Sequence, residues 1–333
     1  MQIEEARIFL RRTGAKASKN SEKLNTLCRN SIILPQEQNL CKYCTRYSSQ
    51  PVYHMKKINL NDWIESGRGG RGASFFHKDD PDYMLKFDNL LTDPSSMEEE
   101  LSAAFVAYSL GVSTPEPGEV VTDGKRYGLT FRRIPDKVSY ARAIGDNPER
   151  LEELAKEFAV QTRKLHAIDA DTTRMRNIKD IYRSLISRNT LHGPAIISHA
   201  LELLDSLPED RTCVHGDLHF GNIILSHGKS YFIDMGNFSY GCPLFDHAMV
   251  KTICLLATID PPVFKEMFHF EPELADRFWT LFAKEYFGQE EDISNIDEMV
   301  KPYAVLRKLT MEVESGIPLP KSALLDVYEL LGN

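Results

Sequence analysis

One stretch constrains this chain more than any other: Val214-His-Gly-Asp-Leu-His-Phe-Gly-Asn-Ile223, followed by Tyr231-Phe-Ile-Asp-Met-Gly236. A carboxylate, Asp217, stands five residues before an amide, Asn222, in a loop that enters a strand. A second short strand then returns a further carboxylate, Asp234. The turn-back predicts strands over Asn222–Leu225 and Ser230–Asp234, with Asp217, Asn222 and Asp234 at one end of the pair. Oxygen ligands of this kind suit Mg²⁺, which takes one or two carboxylates together with phosphate oxygens and water. Asp217 is then available to accept a proton from an attacking hydroxyl. That division of labour is the one phosphoryl transfer needs, where catalysis is mostly positioning and charge neutralisation.

The upstream part supplies a matching half. Gly67-Arg-Gly-Gly-Arg-Gly72 satisfies G-x-G-x-x-G between two predicted strands. It neither opens a helix, as a dinucleotide fingerprint does, nor ends in Gly-Lys-Ser/Thr. Backbone N–H groups of Gly67, Gly69 and Gly72 lying over phosphates fit it better. Lys86 stands mid-strand in Tyr83-Met-Leu-Lys-Phe87, an unusual place for an ammonium unless it points into a cleft. On the following helix Glu100 is its expected partner, with Glu98 and Glu99 as rivals.

Elsewhere, Lys56–Glu65 and Ala73–Lys78 read as strands, and a helix runs from Asp93-Pro94 to Leu110 and stops at Gly111. Glu119–Thr122 and Arg126–Phe131, joined by Asp123-Gly124, read as a hairpin. Leu151, Leu154, Phe158, Thr162 and Leu165 mark one face of a helix over Pro148–His166, and five or so helices follow the second strand pair. Trp279, Phe282, Tyr286 and Phe287 form an aromatic stripe expected in the core, and Glu290-Glu-Asp292 a solvated loop.

Residues 1–54 carry nine Lys/Arg against four Asp/Glu, whereas the whole chain of 333 residues has a net charge of −8. They read as a basic, polar, peripheral extension. Residues 55–134 read as a strand-rich lobe and residues 135–333 as a helical one. The acidic balance argues against nucleic acid as a partner, and no apolar run is long enough for a bilayer. Ile8–Leu10 runs straight into Arg11 and Arg12, so no secretory leader is expected. Six scattered cysteines do not make a disulfide framework; Cys41-x-x-Cys44 lacks a second pair at metal spacing, and reduced thiols in the cytoplasm are expected.

Lys86, Glu100, His215-Gly-Asp217-x-x-x-x-Asn222 and Asp234-x-Gly236, in this order, resemble the aminoglycoside phosphotransferase/choline kinase group within the protein-kinase-like fold. The resemblance covers about residues 56–333. It implies a bilobal α+β fold with a small, five-stranded, antiparallel N-lobe over a mainly helical C-lobe, with ATP and Mg²⁺ in the cleft. Asp217 would be the catalytic base, with His215 orienting its loop. Asn222 and Asp234 would bind Mg²⁺, Lys86 the ATP phosphates, and Thr130, Phe131, Arg132 and Arg133 would form the hinge beside adenine. Asp246 would buttress the loop, and Leu165-His166 would mark a structural helix end. Met235 replaces the Phe of Asp-Phe-Gly, Gly216 stands where protein kinases have Arg, and no Ala-Pro-Glu follows. Only eleven residues separate Asp234 from Asp246, too few for a long peptide-docking segment.

The implied reaction is ATP-dependent phosphorylation of a hydroxyl on a small molecule of aminoglycoside, sugar or amino-alcohol type, with no protein partner indicated. Sixteen Asp/Glu against eight Lys/Arg over residues 246–333 mildly favour a cationic acceptor. Three other readings stand beside it: a kinase acting on a protein side chain, a silent nucleotide-binding module, and a metal hydrolase using His215-x-Asp217-x-His219. His219 is otherwise a loop residue, either near the substrate mouth or purely structural.

Overall fold

The computed structural model describes residues 55–68, 72–88 and 94–332, without the side chains of Arg68 and Asp88. The basic segment 1–54, the tip of the glycine loop with Gly69, and Asp93 lie outside the described residues.

The first part is a six-stranded sheet with one long helix. Its strands are β1 (Lys56–Lys57), β2 (Trp63–Arg68), β3 (Gly72–His77), β4 (Tyr83–Asp88), then helix α1 (Pro94–Ser109), and β5 (Pro117–Thr122) with β6 (Tyr127–Arg132). The order across the sheet is β1-β5-β6-β4-β3-β2, antiparallel except where β1 runs parallel to β5. The single strand expected over Lys56–Glu65 is therefore two strands. A 3-10 turn at Leu60–Asp62, opened by the Asn59 side chain accepting from the Asn61 N–H, sends the chain from one sheet edge to the other. That break produces the sixth strand.

Alternation along β4 decides where its lysine goes. Leu85 and Phe87 are fully buried and pack with Val121, beneath Ile58, Leu60, Trp63 and Phe75. Side chains of a strand alternate between faces, so Lys86 must project from the opposite one. That face receives α1, whose Met97 and Leu101 close on Leu129 of β6. The helix ends as its sequence predicts: Gly111 adopts φ +82°, a left-handed conformation that glycine takes without a Cβ penalty. In the β5–β6 hairpin, Asp123 Oδ1 accepts from the N–H groups of both Lys125 and Arg126 at 2.8 Å, and Gly124 supplies the positive φ.

Beyond Arg132 the chain is mainly helical. Next come β7 (Val138–Ser139), α2 (Tyr140–Asp146), α3 (Leu151–His166), β8 (Arg176–Asn177), α4 (Ile178–Ile186) and α5 (Pro194–Ser206). Strands β9 (Thr212–Val214), β10 (Ile223–Ser226), β11 (Lys229–Phe232) and β12 (Ser239–Gly241) carry the loops that matter here. Helices α6 (Leu244–Ile259), α7 (Pro261–Phe268), α8 (Glu273–Phe287), α9 (Ile293–Ser315) and α10 (Leu325–Leu331) complete the element list. β10 and β11 pair antiparallel, with Ile223 opposite Phe232. The expected face of α3 is buried at Leu151, Leu154, Phe158, Thr162 and Leu165. Trp279 and Phe282 of the aromatic stripe are buried too, and the Phe158 ring meets Phe278 and Phe282 edge-on. No helix among the described residues is long and apolar enough to cross a membrane.

Phe220 anchors the loop between β9 and β10. Its ring lies 4.7 Å from Phe268, 4.9 Å from Phe270 and 5.3 Å from Phe278, each in an edge-on arrangement. Such a ring combines a large buried area with favourable aromatic geometry. Phe220→Ala is expected to lower unfolding free energy by about 3–5 kcal/mol, read from urea denaturation midpoints of wild type and variant.

Candidate active site

Lys86 is the meeting point of three elements. Its Nζ lies 2.8 Å from Glu100 Oε1 of α1 and also pairs with Asp234 Oδ1, just after β11. Of the three candidate glutamates, Glu100 is thus the one on the ammonium, while Glu99 approaches Arg176 at 3.9 Å. Burial of Lys86 disfavours its charged form, but Asp234 and Glu100 outweigh this and raise its pKa above the ordinary lysine value. Burial likewise opposes ionisation of Asp234, and the Lys86 ammonium reverses the outcome, holding that carboxyl below its usual range. The Asp234 side chain remains 44% accessible. It adopts φ 64° and ψ 51°, a left-handed conformation that Asp tolerates better than most residues.

Packing at the following turn is close. A Cβ on Gly236 would fall 3.1 Å from Glu100 Cγ, so α1 sits directly on the Met235–Asn237 turn. Arg176 Nη2 donates to the Gly236 carbonyl at 2.6 Å, tying β8 to the same turn.

The β9–β10 loop is held by its own backbone and by one buried carboxylate. Asp246 Oδ2 accepts the His215 N–H at 2.8 Å and lies 3.0 Å from His166 Nε2, and its Oδ1 accepts the Gly216 N–H at 2.8 Å. Burial of Asp246 opposes its charge, but the hydrogen bond and charge of His166, then His215, keep its pKa low. The His215 ring donates from Nε2 to the Ile233 carbonyl at 3.0 Å and accepts the Asp217 N–H at Nδ1, 3.2 Å away. One tautomer satisfies both bonds. Gly216 has φ +77°, and a Cβ there would come within 2.4 Å of the Asn237 carbonyl oxygen. This is the physical reason that glycine, and no larger residue, precedes Asp217.

Asp217 and Asn222 face each other across this loop. Asn222 Nδ2 donates to the Asp217 carbonyl at 2.9 Å and to its Oδ2 at 3.1 Å. The other Asp217 oxygen, Oδ1, lies 3.7 Å from Arg307 Nη2 of α9. Asp217 keeps 24% of its side chain accessible. His219 turns inward: its Nδ1 accepts the Gly221 N–H at 3.0 Å, its ring packs on Phe268, and burial lowers its pKa. Since both His215 nitrogens and His219 Nδ1 serve the loop, the His215-x-Asp217-x-His219 metal arrangement is not assembled.

The expected hinge residues divide. Thr130, Phe131 and Arg132 belong to β6 and pair with Leu85, Met84 and Tyr83. Thr130 Oγ1 accepts the Glu119 N–H at 2.9 Å, and Arg132 pairs with Asp82 at 3.0 Å. Arg133 lines a cavity together with Ser66, Phe76, Met84, Ile134, Asp136 and Lys137. The Arg133 guanidinium lies 4.6 Å over the Phe76 ring. Gly67 and Gly72 flank the undescribed tip of the glycine loop, with Gly67 opposite Ser74 and Gly72 opposite Asp88. Cys213, Cys242 and Cys254 are free and buried.

A lysine paired with a helical glutamate, and an Asp/Asn loop followed by a second Asp on that lysine, accord with a bilobal, protein-kinase-like phosphotransferase. Residues 64–269 match the model of the phosphotransferase enzyme family, and the chain belongs to that family. It is a kinase-type enzyme with an alcohol group as acceptor. Solved structures with the same fold include an aminoglycoside-3'-phosphotransferase of type VIII, at 17% identity and TM-score 0.52, covering 74% of this chain and 93% of that one. Another is the aminoglycoside phosphotransferase APH(3'')-Id from Streptomyces rimosus, in complex with ADP and streptomycin. It is 17% identical with TM-score 0.52, over 76% of this chain and 94% of that one. A thermostable mutant of APH(4)-Ia, in a ternary complex with AMP-PNP and hygromycin B, reaches TM-score 0.50 at 16% identity, over 81% and 90%. No curated protein matches the sequence.

Next to the loop's anchor, His247 stacks on Phe282 and its Nδ1 donates to the Pro243 carbonyl at 2.9 Å. Burial, then the neighbouring His166, push its pKa down to about 3. The unfolded chain binds a proton at this position below about pH 6.5, and the folded chain does not until far lower. Stability is therefore full above pH 6.5 and falls as the pH drops towards 3. Between pH 7 and pH 5 this group is expected to remove about 2 kcal/mol. Urea midpoints at the two pH values should differ accordingly in wild type, and by less in His247→Phe.

Proposed function

We propose that the protein transfers the γ-phosphate of ATP to a hydroxyl of a small molecule of aminoglycoside, sugar or amino-alcohol type. The observation that carries this reading is the Lys86 ammonium between Glu100 and Asp234, with Asn222 clamping Asp217 on the adjoining loop. In this reading residues 55–134 are the N-lobe and 135–333 the C-lobe. The nucleotide occupies the cavity beside Arg133 and Met84, under the glycine loop of Gly67, Gly69 and Gly72. Its phosphates draw Lys86, whose charge is secured by Glu100.

The donor set suits a hard divalent cation. Asn222 spends its Nδ2 on Asp217, which leaves its Oδ1 as a ligand, and Asp234 offers an accessible carboxylate. Asn222 and Asp234 would hold Mg²⁺ there, and the ion would neutralise charge on the phosphate oxygens. Asp217 takes the proton of the attacking hydroxyl. Its two oxygens are oriented by different elements, Oδ2 by Asn222 and Oδ1 towards Arg307. His215 and Asp246 do not touch the reactants; they hold the Asp217 backbone in place. The short passage from Asp234 to Asp246, occupied by the Met235–Asn237 turn and β12, favours a small acceptor over a peptide.

Asp217→Asn is expected to keep nucleotide affinity within about twofold while turnover drops by roughly two to four orders of magnitude. Asp234→Ala should instead weaken Mg·ATP binding about tenfold or more, since it removes a charged metal ligand. Titrations with an ATP analogue, run beside ATP-consumption assays over a panel of aminoglycosides, sugars and amino alcohols, check both. Near-normal turnover in Asp217→Asn would refute the base assignment.

A further inference from the structure

Orienting Asp217 Oδ1 uses only part of what Arg307, the guanidinium beside it, can do. Arg307 belongs to a stretch of α9 buried continuously from Tyr303 to Thr310, and only 5% of its side chain is accessible. Removing a guanidinium from water to this extent costs several kcal/mol unless partners surround it. Glu314 Oε2 provides the balancing charge, 2.7 Å from Nη1. The same Nη1 donates to Thr310 Oγ1 at 3.0 Å, and Nε points at Met249 Sδ, 2.9 Å away.

The remaining nitrogen is the informative one. Nη2 faces Asp217 Oδ1 at 3.7 Å, too far for a hydrogen bond, and among the described residues it makes none. Nor is it one of the sealed polar atoms lacking a partner, which among the described residues are Ser239 Oγ and His247 Nε2. A purely structural ion pair with Glu314 would need only Nη1. Here Nη2 faces the Asp217 carboxylate as an ion pair but makes no hydrogen bond among the described residues, so its N–H groups stay available beside the group that receives the acceptor's proton. Arg donors in such a fixed fork recognise oxygen lone pairs and repel ammonium groups.

We propose that Arg307 is a specificity residue whose Nη2 donates to an oxygen adjacent to the hydroxyl that Asp217 deprotonates. The reacting hydroxyl is therefore flanked by a second hydroxyl or a carboxylate, as in sugars, polyols and hydroxy acids, and not by an ammonium. The acidity of residues 246–333 points the opposite way only as a bulk property, because at the reacting atoms the local charge is this guanidinium. The inference rests on Asp217 being the base of a phosphotransferase.

The test uses the full chain with Mg²⁺ and a non-hydrolysable ATP analogue, titrated calorimetrically with gluconate, glucose and glucosamine. Glucose and glucosamine share a pyranose frame and differ in a hydroxyl against an ammonium at C2, and gluconate is the open-chain acid of the same six carbons. Gluconate and glucose are expected to bind about tenfold or more tightly than glucosamine, the effect of one charge-assisted hydrogen bond. Arg307→Lys retains the charge facing Glu314 but loses the planar second edge, and should weaken gluconate by about tenfold while leaving glucosamine unchanged. Glucosamine binding tightest, none of the three binding, or a variant indistinguishable from wild type would each overturn the proposal. Should the variant not fold, the order among the three ligands in wild type decides alone. ATP consumption with the same compounds reads the underlying reaction separately: the expected binding order without any transfer would sink the base role of Asp217, and with it the claim that the bound oxygen neighbours a reacting hydroxyl, leaving Arg307 only as an oxygen-binding group.

Discussion

A lysine ammonium shared by two carboxylates from distant parts of the chain holds this molecule's working geometry. Lys86 comes from the sheet, Glu100 from the helix laid across it, and Asp234 from the helical half. The ammonium lies against both carboxylates and offsets part of the cost of taking three charges partly out of water. The arrangement therefore ties the orientation of α1 to the turn after β11. It also tolerates the left-handed backbone of Asp234, whose carboxylate would otherwise have little to compensate the strain.

Around this triad the protein uses two kinds of support. Polar support comes from Asp246, which gathers two backbone N–H groups and the His166 ring. Such a carboxylate satisfies backbone donors that a tight loop cannot pair internally, and so fixes the loop without touching substrate. Apolar support comes from Phe220, driven into a cluster of rings from α7, the segment after it, and α8. Phe220 thus pins to the helical body the loop that carries Asp217 and Asn222. Arg176 adds a third brace by joining β8 to the Gly236 carbonyl.

Much of this was legible in the chain. The alternation in Tyr83–Phe87 already separates Lys86 from Leu85 and Phe87, and Asp123-Gly124 already specifies a hairpin. The early break at Leu60–Asp62 was not, because an Asn-capped turn inside an apolar-polar alternation looks like a continuous strand. The partners of the expected hinge side chains were not legible either: Thr130 accepts from the Glu119 N–H and Arg132 pairs with Asp82. Arg307 lies ninety residues after Asp217; its one local signal was a pair of charges, Arg307-Lys308, set inside an apolar helical run.

By itself, then, the order of residues determined the chemistry available: which groups bear charge, which glycines permit tight turns, and which faces must be buried. Periodicity and side-chain type are local properties, and local properties survive in a linear text. Tertiary structure alone decided which of three adjacent glutamates meets Lys86, and that a guanidinium from α9 stands beside Asp217. Those choices depend on how helices and sheet pack in three dimensions, where displacement by one helical turn exchanges one partner for another.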